Sequence, residues 1–239
     1  MGAAPEPLSR AVMLQDWRDV TFLHWPVEPA AVRRLLPGGV ELDTFGGAAW
    51  VGVVAMSILR TRPPGLPAPS WPGSFPETNV RTYVRGPGGR PDVWFHSLDA
   101  ARLPVVLAAR AGLGLPYQWS RMAVDRGGGR LRYRSVRRWP GPCDARALLE
   151  VEVGPPLPAA AVTGLDRFLV DRWGLLSRWR GRLLRVPVEH PPWPLARVEL
   201  RRLDQDLVEA AGLPAVAGAP HLLHSPGLAV RVGPPRRAG

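Results

Sequence analysis

Polar and apolar positions alternate strictly along the segment SFPETNVRTYV, residues 74 to 84. Period two places four polar or aromatic side chains on one side of the predicted strand: Glu77, Asn79, Arg81 and Tyr83. The opposite side carries threonine and valine, which suit a packed sheet face. In an open sheet a polar row usually meets solvent, whereas in a closed barrel acid, amide, guanidinium and phenol would converge on a ligand. Both interpretations remain open on this segment alone.

The rest of the chain predicts many short strands and few helices. The predicted strands are 17–27, the run VELD after Gly39, 48–61, 74–84, 91–100, about 117–125, 129–138, 148–153, and strands broken by proline over 182–203. The predicted helices are 28–36, 102–114 and 164–177. This order fits an α+β domain built on a large antiparallel sheet, curled or closed. No stretch has the composition of a linker, so the patterns predict a single domain.

Composition supports a β-rich chain and excludes one class of chemistry. The 29 prolines and 26 glycines are scattered, as expected for many turns, and hydrophobic content is 46%. The formal charge is +11, and every basic residue is arginine because the sequence contains no lysine. Without a lysine amine, neither a lysine imine nor a pyridoxal phosphate aldimine can form. We therefore expect no cofactor of that kind, and none is predicted.

The arginines are spread along the chain instead of being grouped. Their densest run, GRLRYRSVRR at 129–138, alternates arginine with Leu131, Tyr133 and Ser135, which is typical of a strand with one solvated face. A nucleic-acid surface is the weaker alternative, and we expect no specific nucleic-acid binding. The amino-terminal segment lacks a signal-peptide pattern and no apolar stretch could span a membrane, so we expect a cytoplasmic protein.

Metal and thiol chemistry find little support in the sequence. Cys143 is the single cysteine and has no histidine nearby, which favours an incidental thiol. The histidines show no metal-binding spacing, so no metal site is predicted; they are His24, His96, His190, His221 and His224.

Ordered blocks along the chain resemble a known family. The blocks are WRDVTFLHWPV, LLPGGVELDTFGGAAWVGVV, FPETNVRTYV, VWFHSLDA, LPYQWSRM and HPPWPL. In this order they resemble the uncharacterised YqjF-like bacterial family, which is related to acetoacetate decarboxylase. The resemblance covers roughly residues 14–230 and implies a cone-shaped antiparallel β-barrel with flanking helices and an internal pocket. We accordingly expect a flexible leader at 1–13, one domain at 14–232 and a flexible tail at 233–239.

The resemblance also bears on activity. Where the decarboxylase has its imine-forming lysine, this chain reads LPYQWS, with Tyr117 and Gln118 nearest to that place. Neither side chain can form an imine. The decarboxylase's glutamate on the strand matching WVGVVAM is also missing, whereas Glu77 matches the position of a pocket acid. The resemblance therefore implies a pocket and argues against acetoacetate decarboxylation.

The candidate site residues follow from these arguments. Glu77 is the candidate acid or base, and the proposed substrate contacts are Asn79, Arg81, Tyr83, His96, Tyr117 and Gln118. Glu77 and Arg81 lie two pleats apart, so they would either contact a ligand or pair with each other. Strict alternation would place His96 on one face with Trp94 and Leu98.

Three functions remain open from the sequence. The first is a small-molecule binding protein that holds an organic acid or metabolite in a barrel pocket. The second is a lysine-independent lyase, isomerase or hydrolase that uses Glu77 as acid or base. The third, weaker, is a basic nucleic-acid-binding protein, and formation of a homo-oligomer also stays open.

Overall fold

The computed structural model describes residues 7–238, and within them the chain is mostly sheet. The strands are β1 (Met13–Val27), β2 (Glu41–Leu42), β3 (Ala49–Arg62), β4 (Phe75–Gly86), β5 (Arg90–Ala100), β6 (Tyr117–Gly127), β7 (Arg130–Trp139), β8 (Arg146–Pro156), β9 (Gly174–Trp179), β10 (Arg182–Glu189), β11 (Ala196–Gln205), β12 (His221–Val232) and β13 (Arg236–Arg237). The helices are α1 (Pro29–Arg33), α2 (Leu103–Leu113), α3 (Gly164–Val170) and α4 (Leu207–Ala210), with a 3₁₀ turn at Ala159–Ala161. The first part of the predicted leader, residues 1–6, lies outside the described residues.

The sheet closes on itself in two rings that share five strands. One ring has nine strands, in the order β12, β1, β3, β4, β5, β6, β7, β8 and β11. The other ring has seven strands, because β9 and β10 bridge β5 back to β12. The strands β12, β1, β3, β4 and β5 therefore form a shared wall between the rings. Most pairs are antiparallel, and β5 pairs in parallel with both β6 and β9.

Each ring encloses its own core. Phe22, Trp50 and Tyr83 belong to the core of the seven-strand ring, whereas Leu23, Val51 and Val80 belong to the core of the nine-strand ring. Because successive side chains of a strand point to opposite faces, the shared wall is buried on both sides. This explains why residues 77 to 84 of β4 are all buried.

The predicted helix 164–177 was too long. Thr163 and Asp166 form a capping box that starts α3, but the helix ends at Val170 and residues 174–179 form β9. At Gly174 an added Cβ would lie 2.6 Å from Asp92 Oδ1, so only glycine lets this segment approach β5 so closely. Strand pairing with β5 and β10 overrides the local helical pattern. The sequence patterns also did not predict β12, which closes both rings.

Strict alternation was wrong for β5. The pairing of β4 with β5 runs from Val80 opposite Ser97 directly to Arg81 opposite Phe95, so His96 is the extra residue of a bulge. Phe95 therefore lies on the same face as Leu98, and His96 does not share that face as predicted. A bulge depends on the partner strand, and for this reason the local sequence did not reveal it.

No helix in the described part of the chain is long and apolar enough to cross a membrane.

Candidate functional site

A cavity of about 130 Å³ lies inside the seven-strand ring. Its walls are mainly aliphatic and aromatic side chains from β1, β5, β9, β10 and the end of α2. Six polar or charged side chains also line it: Gln15, Glu77, Arg81, Tyr117, Arg172 and His190. A mostly apolar cavity with a few convergent polar groups has the character of a small-molecule site.

Glu77 and Tyr117 form the acid-bearing part of the cavity. The Tyr117 hydroxyl donates to Glu77 Oε2 at 2.7 Å, and Asn79 Nδ2 donates to Glu77 Oε1 at 3.3 Å. Glu77 is only 4% exposed, and this burial raises its pKa to about 7, against the two hydrogen bonds, which lower it. Burial, followed by the charge of Glu77, raises the pKa of Tyr117 well above its ordinary value. Glu77 therefore exchanges its proton near neutral pH.

Arg81 brings a positive charge to the same cavity without a carboxylate partner. It is 8% exposed and forms no ion pair with any described residue, Glu77 included. Among residues 7–238 its one hydrogen bond runs from a terminal nitrogen to the Leu169 carbonyl at 3.4 Å, and its Nε has no partner there. The guanidinium lies 5.5 Å from the centre of the Phe22 ring and 5.6 Å from that of Tyr83. The predicted alternative of a Glu77–Arg81 pair is therefore not formed.

Arg172 and His190 line the cavity but are held by other partners. Arg172 Nη1 donates to Asp43 Oδ2 at 2.7 Å, and its Nε donates to the Phe168 carbonyl. Burial lowers the pKa of His190, whose ring stacks on Trp173 at 4.5 Å between centroids. A neutral His190 and a paired Arg172 leave Arg81 as the lining cation whose charge is not balanced by a described carboxylate.

Tyr83 and His24 form a support behind Arg81. The Tyr83 hydroxyl and His24 Nε2 share a hydrogen bond of 2.6 Å, and burial lowers the pKa of His24 well below its ordinary value. Space for the two rings depends on Gly52, where an added Cβ would lie 2.8 Å from His24 Cδ2. The Tyr83 ring also contacts the guanidinium of Arg172.

The structure brings some predicted site residues together and separates others. Glu77, Arg81 and Tyr117 line the cavity, and Asn79 is buried beside Glu77. Tyr83 contacts Arg81 from behind, whereas His96 lies in the β5 bulge and Gln118 Oε1 accepts from the backbone of Gly141. Gln15, Arg172 and His190 are absent from the set predicted from sequence. The three positions are far from Glu77 in the sequence, and Arg172 and His190 reach the cavity only through ring closure, so no local signal identified them.

The arrangement suits the binding of an anion and the transfer of a proton. Arg81 offers unused guanidinium donors, and Glu77 with Tyr117 offers a proton that titrates near neutrality. Among residues 7–238, no group of three or more histidine, cysteine, aspartate or glutamate side chains is arranged to hold a metal ion.

Sequence comparison relates the chain to an uncharacterised family over most of its length. Residues 14–229 match the model of the family DUF2071, described as "Uncharacterized conserved protein (COG2071)". The chain is 34% identical over 216 residues to the "Uncharacterized protein YqjF" of Bacillus subtilis (strain 168), covering 89% of this chain and 86% of that protein.

Solved structures with a similar fold include two groups of enzymes. The enduracididine biosynthesis enzyme MppR complexed with pyruvate superimposes with a TM-score of 0.67 at 19% identity, covering 98% of this chain and 92% of that one. An acetoacetate decarboxylase-like enzyme from Sphingomonas wittichii RW1 also gives a TM-score of 0.67, at 12% identity and with coverage of 98% and 95%. The acetoacetate decarboxylase of Legionella pneumophila gives 0.64 at 12% identity, with coverage of 98% and 92%. At these identities the likeness shows a common fold.

Proposed function

This chain belongs to the DUF2071 family, and we propose that it binds a small organic acid in the cavity of its seven-strand ring, with Arg81 contacting the carboxylate. In this proposal the ring serves as the cone-shaped barrel that the sequence resemblance implies.

The observation that carries the proposal is the unbalanced charge of Arg81. Removing a guanidinium from water is costly unless a counter-charge and hydrogen bonds compensate for it. Arg81 is nearly buried, has an unused Nε donor and lines the cavity, while no described carboxylate pairs with it. A ligand carboxylate in the cavity would supply the missing charge and accept bidentate hydrogen bonds.

The size and lining of the cavity narrow the ligand to a small acid with an apolar body. An engineered apolar cavity of ~150 Å³ holds benzene, so about 130 Å³ suits a molecule of a few carbon atoms. The aliphatic and aromatic walls favour an apolar body over a polyol or a sugar. The structural neighbour MppR, which is complexed with pyruvate, offers an example of a small carboxylic acid bound within this fold.

The proposal is tested with two probes of matched shape. Isobutyrate and isobutyramide have nearly the same size but differ in charge. Calorimetric titrations with each of the two probes therefore show what the carboxylate contributes to binding. We expect isobutyrate to bind at least tenfold more tightly than the amide, and Arg81→Met to abolish the difference. The surface variant Arg33→Ala is the control and should behave like the parent protein. Equal binding of acid and amide, or no binding of isobutyrate or pyruvate, would refute the proposal.

A second candidate function is proton transfer on the bound acid. It rests on Glu77, whose pKa of about 7 and hydrogen bond from Tyr117 suit a general base at neutral pH. If Arg81 holds the carboxylate of a 2-oxo acid, Glu77 can remove a proton from the carbon next to the carbonyl, and an enolate then forms without an imine. NMR in D₂O would show exchange of the methyl protons of pyruvate. Glu77→Gln should stop this exchange and keep binding; an exchange rate equal to that in buffer alone would exclude the activity.

A further inference from the structure

A second concave site, which we call the arginine basin, lies beside the cavity and opens to the surface. It has a volume of about 230 Å³ and is lined by four arginines: Arg90, Arg185, Arg236 and Arg237. Val188 lines both the basin and the internal cavity. Trp173 lines the basin and stacks on His190, which lines the cavity, so this aromatic pair lies between the two spaces.

Among residues 7–238 no acidic side chain lines the basin, and the described carboxylates beside it, Asp92 and Glu189, are already engaged. Asp92 receives two hydrogen bonds from Arg185, at 2.7 and 2.8 Å, and is itself fully buried. Glu189 accepts from Arg231 at 2.7 Å and from the backbone nitrogen of Leu8 at 2.9 Å. Among the described residues, internal neutralisation is thus complete for Arg185 but does not extend to the arginines of β13.

Arg236 and Arg237 carry the excess charge of the basin. Both are exposed, and neither forms an ion pair with a described residue. Pairing of β13 with β10 places Arg236 directly opposite Arg185. Because Arg185 already pairs with Asp92, the charge that a bound anion would balance at this position is that of Arg236.

The Asp92 pair holds one guanidinium of the basin in place. Asp92 and the Trp173 carbonyl hold the guanidinium of Arg185, whose side chain is only 14% exposed. Arg236 and Arg237 are fixed in register by the backbone of β10. Guanidinium groups in such positions match the several oxygens of a phosphate better than a single carboxylate.

We propose that the arginine basin binds the phosphate group of a small phosphorylated molecule. Its volume exceeds that of the internal cavity and leaves room for an organic body against Trp173 and the prolines of the rim. The proposal is independent of what the internal cavity holds, because the basin residues do not include Glu77, Arg81 or Tyr117.

The test uses inorganic phosphate, glycerol 3-phosphate and acetate as probes in calorimetric titrations of the full chain. We expect saturable binding of both phosphates, with acetate at least tenfold weaker. The double variant Arg236→Gln/Arg237→Gln should weaken phosphate binding at least tenfold. The matched double variant Arg33→Gln/Arg34→Gln removes the same charge from exposed positions of α1 and its C-cap, and should leave binding unchanged.

Several outcomes would overturn the proposal. These are the absence of saturable phosphate binding, acetate binding equal to that of phosphate, and an equal loss in both double variants, which would indicate general charge attraction. Thermal melting distinguishes a loss of binding from a loss of structure. Because β13 pairs through its backbone, both double variants should have the melting temperature of the parent protein. Isobutyrate binding in the internal cavity should be unaffected by Arg236→Gln/Arg237→Gln.

Discussion

The hydroxyl of Tyr117, at the start of β6, donates a 2.7 Å hydrogen bond to Glu77 on β4, in the wall shared by both strand rings. Both side chains are buried, and the bond joins the acid of the cavity to the first residue of β6. The pair thus determines when this part of the cavity is neutral and when it is charged.

The raised pKa of Glu77 makes the stability of the fold depend on pH. Because the folded chain keeps a proton that the unfolded chain loses near pH 4.5, the stabilisation is complete below that pH and is lost as pH rises through about 7. The loss amounts to roughly 3 kcal/mol by linkage. Urea unfolding at pH 5 and pH 8 measures most of this loss. Glu77→Gln should remove this part of the pH dependence, and an identical pH profile in the variant would contradict the assignment.

Tyr117→Phe should cost more stability at high pH than at low pH. The phenol stabilises the ionised Glu77, and a hydrogen bond to a charged group contributes ~1.5–3 kcal/mol compared with about 1 for a neutral pair. The variant should therefore raise the pKa of Glu77 further. Unfolding of the variant and the parent at pH 5 and pH 8 gives the comparison, and a cost independent of pH would show that the bond does not depend on the charge of Glu77.

Substitution by methionine should affect the free energy of unfolding differently at two buried arginines, Arg81 and Arg137. Arg81→Met removes a buried charge that no described carboxylate balances, so the free energy of unfolding should stay equal or rise by roughly 1–3 kcal/mol. Arg137→Met leaves Asp99 buried without its bidentate partner and should cost about 3–5 kcal/mol. Chemical denaturation of both variants checks this. A large loss in Arg81→Met would mean that its charge is compensated within the chain.

Gly52→Ala should destabilise the fold by roughly 1–3 kcal/mol through overpacking. The new methyl group would lie 2.8 Å from His24 Cδ2 and 3.2 Å from the Tyr83 hydroxyl, and both rings are buried. Gly38→Ala, where an added Cβ meets nothing within 4 Å, is the matched control and should be close to neutral. Thermal melting of the two variants decides the point, and equal melting temperatures would show that the two rings can move apart.

Borohydride should trap no ligand on a side chain of this protein. No lysine is present in the sequence, so a carbonyl compound in the cavity has no side-chain amine with which to form an imine. Treatment with pyruvate and borohydride, followed by peptide mass spectrometry, provides the measurement. A reduced adduct on any peptide other than the amino-terminal one would contradict this prediction.

The sequence predicted the part of the site that lies on one strand. Glu77 and Arg81 are separated by a short run of regular strand, so period two was enough to place them on one face, and both line the cavity. His96 was misplaced because a bulge arises from the pairing of two strands. Arg172 and His190 were beyond reach because β9 and β10 bring them to the cavity only when the ring closes. The helical periodicity predicted a helix over 164–177, but the end of this segment forms a strand because it pairs with distant strands.

The wall shared by the two rings assigns ligand contact and fold stability to opposite faces of the same strands. Along β4, Glu77 and Arg81 face the cavity, whereas Thr78 and Val80 face the other core. A combinatorial library confined to the cavity-facing positions would change ligand selectivity while the opposite side chains preserve strand register. Residues of the second core would keep the fold stable when the cavity-facing residues are changed. This scaffold is therefore a suitable starting point for engineering new small-acid receptors.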